Sequence, residues 1–301
     1  MSLNKRWMSP PVGGLFFWVG LLVGGVGAQA QAQAQAQART QTKAISSGQA
    51  QVYRVPATGE ATRFEVPQVR LPDAAAARRI NATLVRMLIS SEAGGIDSAA
   101  SAMQQLRQAS RECCYDPDTR QWTVGLGLTG CGYQVLFNQG GLLSLAYTSQ
   151  FTGAYSWERT SHVTFDLRTG RVMALADLLA DAPAQLQRRM RNAINRRLAD
   201  ELRQIAETYG DSATVAYVAE QFQWDWATKQ VKPSLGDSLA DLTEFALTPQ
   251  KLLLFYRVDF PHINLNFEPD DTYRFAYAGL LPRPLLRQAL TLAVPTKSKG
   301  K

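Results

Sequence analysis

The sequence predicts an α+β protein in which antiparallel sheets pack against a long amphipathic helix, with a smaller N-terminal α/β subdomain. Apolar residues recur at steps of three or four between Leu186 and Tyr209, which is the period of a helix with one buried face. Paired apolar runs flank turn residues at positions 138–141 and 248–250, as in β-hairpins. Because the predicted helices and strands are grouped rather than alternating, the α+β class is favoured over a parallel α/β sheet.

The long helix has the most complete pattern in the sequence. Asp181-Ala182-Pro183 is a typical helix start, and Gly210 is a typical stop. We expect the whole apolar stripe through Tyr209 to be buried against a sheet. We expect the opposite face to be solvated, with acidic partners four positions on, although a patch for an anionic polymer is the alternative. The arginines of that face are Arg188, Arg189, Arg191, Arg196, Arg197 and Arg203.

Shorter elements are expected on both sides of this helix. Residues 63–69 should be extended, and a helix should follow Pro72-Asp73. Residues 153–160 are expected to form a loop between two strands. The other expected elements are a helix at 97–111, strands at 133–137, 142–151 and 162–167, a tight turn ending at Gly170, a helical stretch at 215–222, a hairpin at 245–258, a strand at 273–277 and a closing helix at 285–292.

The N-terminus has the three parts of a secretory signal peptide, which we place at residues 1–28. Lys5 and Arg6 precede an apolar run at 13–27, and small residues around Ala28 suit cleavage. The run is shorter than the about 20 apolar residues of a membrane-spanning helix, so we expect no stable membrane span after cleavage. The protein is therefore expected to be exported, and either periplasmic or secreted.

An Ala/Gln repeat follows the signal peptide and contains no large apolar residue, so it cannot contribute to a packed core. We interpret residues 29–51 as a low-complexity tether. The body is expected to divide into an N-terminal subdomain at 63–170 and a C-terminal subdomain at 171–296.

The net charge of +7 comes from the ends of the chain. Without the basic residues of the signal peptide, tether and tail, the body carries as many basic as acidic side chains. Since a nucleic-acid partner would require a basic body, we expect none. The basic residues at the ends are Lys5, Arg6, Arg39, Lys43, Lys297, Lys299 and Lys301.

The cysteines leave several interpretations open. An oxidising destination permits a disulfide between Cys131 and either Cys113 or Cys114. Buried thiols are the alternative. A metal site is less favoured because this spacing is not a typical ligand set.

No catalytic motif is found, so we predict no catalytic residue, cofactor or metal ion. Ser161 and His162 are adjacent in an expected strand and should point to opposite faces, which disfavours a catalytic pair. Glu268, Asp270 and Asp271 share one loop and offer oxygen ligands for Ca²⁺, but such a loop is more simply solvated.

Aromatic side chains supply the candidate ligand-binding residues. Tyrosine and tryptophan combine apolar area with a polar group and are frequent anchors at interfaces. The spacing of Trp224 and Trp226 also fits a strand with one inward face, which makes that pair the weaker candidate. The complete candidate set is Tyr155, Trp157, Glu158, Arg159, Trp224 and Trp226.

The run from Leu143 to Leu179 resembles the extracellular domain of RsiV-type anti-sigma factors and PdaC-type peptidoglycan deacetylases. The matching motifs are FDLRTG at 165–170 and LADLL at 175–179, and the resemblance extends over residues 63–290. A Gly-Gly-Ala-His loop of the family is replaced here by Thr-Gly-Ala-Tyr, ending at Tyr155. The resemblance therefore implies no role that depends on that histidine.

What the resemblance implies is an exported RsiV-like C-terminal domain with a PdaC-like N-terminal subdomain. Its anti-sigma relatives bind lysozyme, which implies a protein ligand as one option. Our leading hypothesis is a non-enzymatic binding domain that recognises an envelope protein or a cell-wall glycan such as a peptidoglycan fragment. The alternatives are an uncharacterised hydrolase acting on envelope material and a structural envelope protein.

Overall fold

A three-stranded antiparallel sheet lies between two clusters of buried side chains. The computed structural model describes residues 48–56, 65–89, 104–105, 108, 111, 115–122, 127–232 and 242–293. The predicted signal peptide, most of the predicted tether and most of the helix predicted at 97–111 lie outside these ranges.

The described helices include one of 27 residues. In chain order, the strands are β1 (Gln51–Pro56), β2 (Glu65–Arg70), β3 (Tyr115–Asp116), β4 (Gln121–Trp122), β5 (Gly127–Gln139), β6 (Leu142–Thr152), β7 (Ser156–Asp166), β8 (Trp224–Asp225), β9 (Gln230–Val231), β10 (Phe245–Leu247), β11 (Lys251–Phe255) and β12 (Thr272–Ala276). The helices are α1 (Ala74–Ile89), α2 (Leu175–Leu178), α3 (Pro183–Tyr209), α4 (Ser212–Gln221) and α5 (Pro284–Ala293), with 3-10 helices at His262–Phe267 and Tyr277–Gly279. Antiparallel sheets with a long helix confirm the predicted α+β class.

The central sheet has the strand order β5-β6-β7. Its first turn uses Gly140 and Gly141, whose φ angles are +59° and +84°, and so confirms the predicted hairpin. Side chains alternate between the two faces, because Leu143 and Leu145 enter one buried cluster and Leu142 enters the other. The sheet therefore separates two cores.

Strand β7 begins at Ser156, so the prediction of a loop at 153–160 is wrong for most of its length. Only residues 153–155 connect β6 with β7. The first half of β7 is exposed on both faces, so no apolar alternation marks it in the sequence. The candidate residues that lie on this strand rather than on a loop are Trp157, Glu158 and Arg159.

The first core is formed by β1, β2 and α1 on one face of the central sheet. Helix α1 follows Asp73, whose carboxylate accepts hydrogen bonds from the backbone N–H groups of Ala75 and Ala76. Ile80 and Leu84 of α1 are fully buried. The extended segment and the helix predicted in this region are thereby confirmed as β2 and α1.

Strand β1 has no counterpart among the predicted strands. Ala50, which precedes it, is buried, and its backbone N–H donates to Oδ1 of Asn138 while the Asn138 amide donates to the Ala50 carbonyl. Gly141 also donates its N–H to the Gly48 carbonyl. The end of the segment interpreted as a tether, residues 48–51, is therefore packed against the central hairpin.

The second core contains α3 and most of the C-terminal elements. Tyr209, the last residue of the predicted stripe, is exposed, so the prediction of its burial is wrong. It lies beyond the core at the helix end, where Gly210 has a φ of +69°. The rest of the stripe is buried as predicted, at Leu186, Met190, Ile194, Leu198, Leu202 and Ile205.

The basic face of α3 is not uniformly solvated. Arg189 donates to the carbonyl of Gly279. Arg197 donates to the carbonyl of Asp270, and its guanidinium carbon lies 4.1 Å from the centroid of the Tyr273 ring. These two arginines therefore bind α3 to the segments around β12.

The predicted tight turn after β7 is confirmed. Gly170 has a φ of +71°, and its N–H donates to the Asp166 carbonyl. The Asp166 carboxylate accepts hydrogen bonds from the Arg168 N–H and the Thr169 hydroxyl. A Cβ at Gly170 would lie 2.5 Å from the carbonyl oxygen of Ala76, so this turn also fixes the distance to α1.

Within the described ranges, no helix is both long and apolar enough to cross a membrane. The division into subdomains at 63–170 and 171–296 stays a prediction.

Candidate functional site

Two exposed aromatic rings lie at the end of the β6–β7 hairpin. Tyr155, in the connecting loop, is 60% exposed, and Trp157, on β7, is 50% exposed. Each ring stacks on a second ring, which restricts its motion. Large, exposed and restrained rings suit binding, since little side-chain entropy is lost when a partner covers them.

Trp157 is supported by the sheet. It faces Phe151 across the β6–β7 pairing, and the two rings are stacked with centroids 4.0 Å apart and planes at 13°. Phe151 itself is buried. One face of the indole therefore rests on the buried Phe151 ring, while about half of the Trp157 side chain remains in solvent.

Tyr155 is supported by a segment that lies far away in sequence. Its ring stacks on His262 at a centroid distance of 4.3 Å and an interplanar angle of 20°. His262 begins a 3-10 helix, and the next residue, Ile263, is 83% exposed. The stacking thus places a further apolar side chain next to the hairpin end.

Polar side chains attach this 3-10 helix to the helices behind it. The Asn264 amide donates to the Tyr217 hydroxyl at 2.6 Å, and the Asn266 amide donates to the Tyr209 hydroxyl at 3.3 Å. The backbone on both sides of the exposed Ile263 is therefore held in place by these hydrogen bonds to α3 and α4 and by the stacking of His262 on Tyr155. We use the name hairpin-tip surface for Tyr155, Trp157, His262 and Ile263.

The two charged candidates lie on opposite faces of β7. Arg159 shares a face with Trp157, and within the described part of the chain no acidic group pairs with its guanidinium. Glu158 points to the other face, where the Gln150 amide donates to it at 2.8 Å. The hairpin end thus presents the Arg159 cation on the same face of the sheet as the Trp157 indole, and the Glu158 anion on the opposite face.

The second aromatic pair divides between core and surface. Trp224 is buried in the second core, so its ring is not offered at the surface for a ligand, and its predicted role in binding stays a prediction. The inward face of the short strand β8 explains this burial, since Trp224 pairs with the buried Val231. Trp226 is 57% exposed. No ring contact or hydrogen bond among the described residues joins Trp226 to the hairpin-tip surface.

His162 is engaged by its neighbours. Its ring stacks on Phe255 at 3.7 Å, and its Nδ1 lies 2.8 Å from Oε1 of Glu244, which also accepts from the His162 backbone N–H. Across the described ranges, no hydroxyl or thiol makes a hydrogen bond to this ring. The His162–Glu244 pair therefore connects β7 to the segment that precedes β10, and it lacks the nucleophile of a hydrolytic site.

The loop carboxylates considered for Ca²⁺ point to separate partners. Glu268 accepts from Arg257 at 3.0 Å and Asp270 accepts from Arg274 at 3.0 Å. Asp271 accepts from the hydroxyl of the following Thr272. Within the described part of the chain, no three acidic, histidine or cysteine side chains are arranged to hold a metal ion.

The acidic residues with perturbed pKa values have structural partners. The backbone N–H of Ala174 holds the pKa of Asp177 below its ordinary value. The backbone N–H of Thr214 does the same for the pKa of Asp211 at the start of α4. Such carboxylates stabilise helix ends and do not supply a catalytic acid or base.

A cavity of about 720 Å³ lies between α3 and β12. Arg197 and Arg274 in its wall both approach Asp270, and Asp200 and Glu201 add further negative charge. Burial raises the pKa of Tyr273 to about 12, so this phenol is neutral at physiological pH. Four arginines line this cavity, and the acidic side chains offset only part of their charge.

Cys131 is buried beside Tyr147, whose hydroxyl donates to its Sγ at 3.5 Å. Burial raises the pKa of Tyr147. Cys113 and Cys114 lie outside the described residues, so a disulfide to Cys131 stays a prediction.

The residues that sequence reasoning missed are His262, Ile263 and Phe151. The first two lie outside the elements predicted from the sequence, and its periodicity does not indicate that the ring of Tyr155, 107 positions away, stacks on His262. Phe151 belongs to a predicted strand, and its partner was assigned to a loop.

No protein-family model and no curated protein matches the sequence. Among solved structures, the chain is similar to a DUF3298 family protein from Pseudomonas aeruginosa PAO1, with 14% identity and a TM-score of 0.43 over 79% of this chain and 94% of that chain. It is also similar to a DUF3298 family member from Bacteroides fragilis NCTC 9343, with 13% identity and a TM-score of 0.41 over 80% of this chain and 97% of that chain. The structural neighbours are thus proteins of a family that is named for its unknown function, and the likeness assigns neither an RsiV or PdaC relationship nor a ligand.

Proposed function

We propose that this chain is an exported, non-enzymatic binding domain and that the hairpin-tip surface recognises a protein or a cell-wall glycan outside the cytoplasm. The observation that carries the proposal is the pair of exposed and stacked rings at Tyr155 and Trp157. Export is supported by the apolar run at 13–27 and the small residues around Ala28.

The two rings supply enough apolar area to anchor a ligand. An aromatic side chain has about 150–250 Å² to bury, so the exposed halves of both rings amount to on the order of 200 Å². At about 25 cal/mol per Å², covering them contributes about 5 kcal/mol before the entropic cost of association. That value is typical of a hot spot in a larger interface.

The test is the double substitution Tyr155→Ala and Trp157→Ala. Immobilised wild-type and variant proteins are exposed to soluble peptidoglycan fragments and to solubilised envelope proteins, and retention is quantified. We expect the double variant to lose at least about tenfold in retention of one of these, since each truncation at a hot spot costs about 2 kcal/mol or more.

Trp226→Ala is the matched control, because Trp226 is similarly exposed and lies outside the hairpin-tip surface. It should retain ligand as the wild type does. Thermal unfolding of each variant separates lost binding from lost folding. Unchanged retention by a folded double variant would contradict the proposal.

The hydrolase alternative has less support in the structure. It requires a nucleophile or an activated water beside a base, and the His162–Glu244 pair is covered by Phe255 on one ring face. Backbone N–H groups at helix starts lower the pKa values of Asp73, Asp177 and Asp211.

A further inference from the structure

The first half of β7 is an open sheet edge. β7 is the terminal strand of the central sheet, so one side of its backbone has no strand neighbour. Further along, this side is closed, because Glu244 accepts from the His162 N–H at 3.1 Å and the Thr164 carbonyl accepts from the Met173 N–H at 2.8 Å. The outward backbone groups of β7 are thus hydrogen-bonded from His162 onward and, within the described ranges, those of the preceding residues are not.

The register fixes which backbone groups point outward. The β6–β7 pairing is continuous from Ser156 to Asp166 without a bulge, so every second residue has the same orientation as His162. Ser156, Glu158 and Thr160 therefore direct their N–H and C=O groups away from β6. Within the described part of the chain, no backbone or side-chain group bonds to these outward N–H and C=O groups.

Folded proteins usually protect such an edge with charged side chains, a bulge, a proline or a covering segment. Of these devices the edge has only the charged pair Glu158 and Arg159. Here the pairing has no bulge, the strand has no proline, and all side chains from Ser156 to Thr160 are exposed. The same edge carries Trp157, which the hairpin-tip surface already presents for binding. Unpaired backbone groups beside an aromatic anchor are the combination that accepts an extended peptide.

We infer that the edge of β7 from Ser156 to Thr160 accepts an extended segment of a protein partner as an additional antiparallel strand. This inference rests on the proposed function and selects a protein over a glycan as the ligand of the hairpin-tip surface. The edge is about five residues long, which suits a peptide segment and is too short for a stable dimer of two copies, since such dimers bury about 1,200 Å² or more.

The geometry also specifies the chemistry of the segment. A partner strand would form its hydrogen-bonded pairs with Ser156, Glu158 and Thr160, whose backbone groups point outward. Trp157 and Arg159 would then occupy the non-hydrogen-bonded positions, where the side chains of paired strands approach most closely. An aromatic residue opposite Trp157 and an acidic residue opposite Arg159 are therefore favoured, with a basic residue opposite Glu158. Along an antiparallel partner these residues follow one another in the order acidic, basic, aromatic.

The probe is the peptide acetyl-Val-Thr-Glu-Lys-Tyr-Thr-Val-amide, in fluorescently labelled form, titrated with the full chain and followed by anisotropy. Its matched control exchanges the Glu and Lys, which would place like charges opposite Arg159 and Glu158. A second control carries an N-methyl group on the Lys amide and loses one hydrogen bond to the edge. We expect each control peptide to bind about tenfold more weakly, which is the effect of losing about 1.4 kcal/mol.

The protein variant is Glu158→Pro, compared with Glu158→Ala. Because the Glu158 N–H points away from β6, proline removes a donor to the partner and no bond within the sheet, as edge strands tolerate. We expect the proline variant to bind the peptide about tenfold more weakly than the alanine variant. The N-methylated peptide provides the same test on unaltered protein, should the proline variant unfold.

The outcomes separate the two proposals. Equal affinity for all three peptides, or no binding at about millimolar concentration, would overturn the strand inference. Soluble peptidoglycan fragments that require Tyr155 and Trp157 but bind the Glu158→Pro and Glu158→Ala variants equally would also overturn it, while leaving the proposed function intact. If the Tyr155→Ala, Trp157→Ala double variant still binds the peptide and the peptidoglycan fragments as the wild type does, both proposals are contradicted.

Discussion

Replacing Ile194 with alanine should destabilise the protein by about 2–5 kcal/mol. Ile194 is fully buried in the middle of α3 and belongs to the second core. Truncation removes three methyl or methylene carbons, each contributing about 0.8 kcal/mol of transfer free energy, and leaves a cavity whose cost depends on how far the neighbours relax. A loss of about 3 kcal/mol corresponds to a fall in Tm of about 6–12 °C for a domain of this size.

Arg196→Ala is the matched control for this experiment. Arg196 lies two positions later on the same helix, is exposed, and has no ion pair among the described residues. Because arginine and alanine are both good helix formers, we expect a change of less than about 0.5 kcal/mol. The assay is urea unfolding followed by far-UV circular dichroism. Equal losses for the two variants would refute the assignment of the buried and exposed faces of α3.

Three further predictions concern other parts of the chain. Gly170→Ala should lower the free energy of unfolding by more than about 1 kcal/mol, because it places a Cβ at positive φ and 2.5 Å from the Ala76 carbonyl oxygen. A Cβ at Gly132 meets nothing within 4 Å, so Gly132→Ala should be nearly neutral in urea unfolding, and similar losses for the two variants would contradict this explanation. The stability difference between wild type and Asp177→Ala should be constant above pH about 5, where the carboxyl is ionised in the unfolded chain as well, and should shrink as the pH falls through the lowered pKa of Asp177. A difference that grows in acid would count against the cap. Intact-mass measurement of the exported protein should show that cleavage falls between Ala28 and Ala38, so that the chain begins between positions 29 and 38, and a chain that still begins at Met1 would contradict signal cleavage.

The sequence predicts the elements whose side chains face a core on one side. The stripe of α3 and the alternating residues of β6 are visible because burial selects apolar residues at a fixed period. The turn at Gly170 is visible for a different reason, since a positive φ favours glycine.

The elements missed are those whose residues show little apolar periodicity. Residues 156–160 extend β7 although their side chains are exposed on both faces of the sheet, so polar side chains are tolerated and the pattern is that of a loop. Strand β1 begins at the end of the segment interpreted as a tether, and its apolar residues are too few to mark a strand. Tyr209 follows the helical period but lies beyond the end of the core.

The candidate site was predictable only in part. The residue types at Tyr155 and Trp157 indicate a binding surface, and the structure shows both rings exposed. The contact with His262 depends on how two distant segments pack, which local periodicity does not contain. For Trp224, the same residue type indicates binding and yet the side chain is buried, because amino-acid type alone does not determine which face of a short strand turns inward.

The most direct test of the central claim is photo-crosslinking from the hairpin-tip surface in cells that export the protein. Benzoylphenylalanine replaces Tyr155 in one variant and Trp226, similarly exposed elsewhere, in the other. We expect irradiation to give a covalent adduct of defined mass from position 155 and none from position 226. The same adducts from both positions, or none from position 155 in a folded and exported protein, would contradict the claim that this surface is where the protein binds its partner.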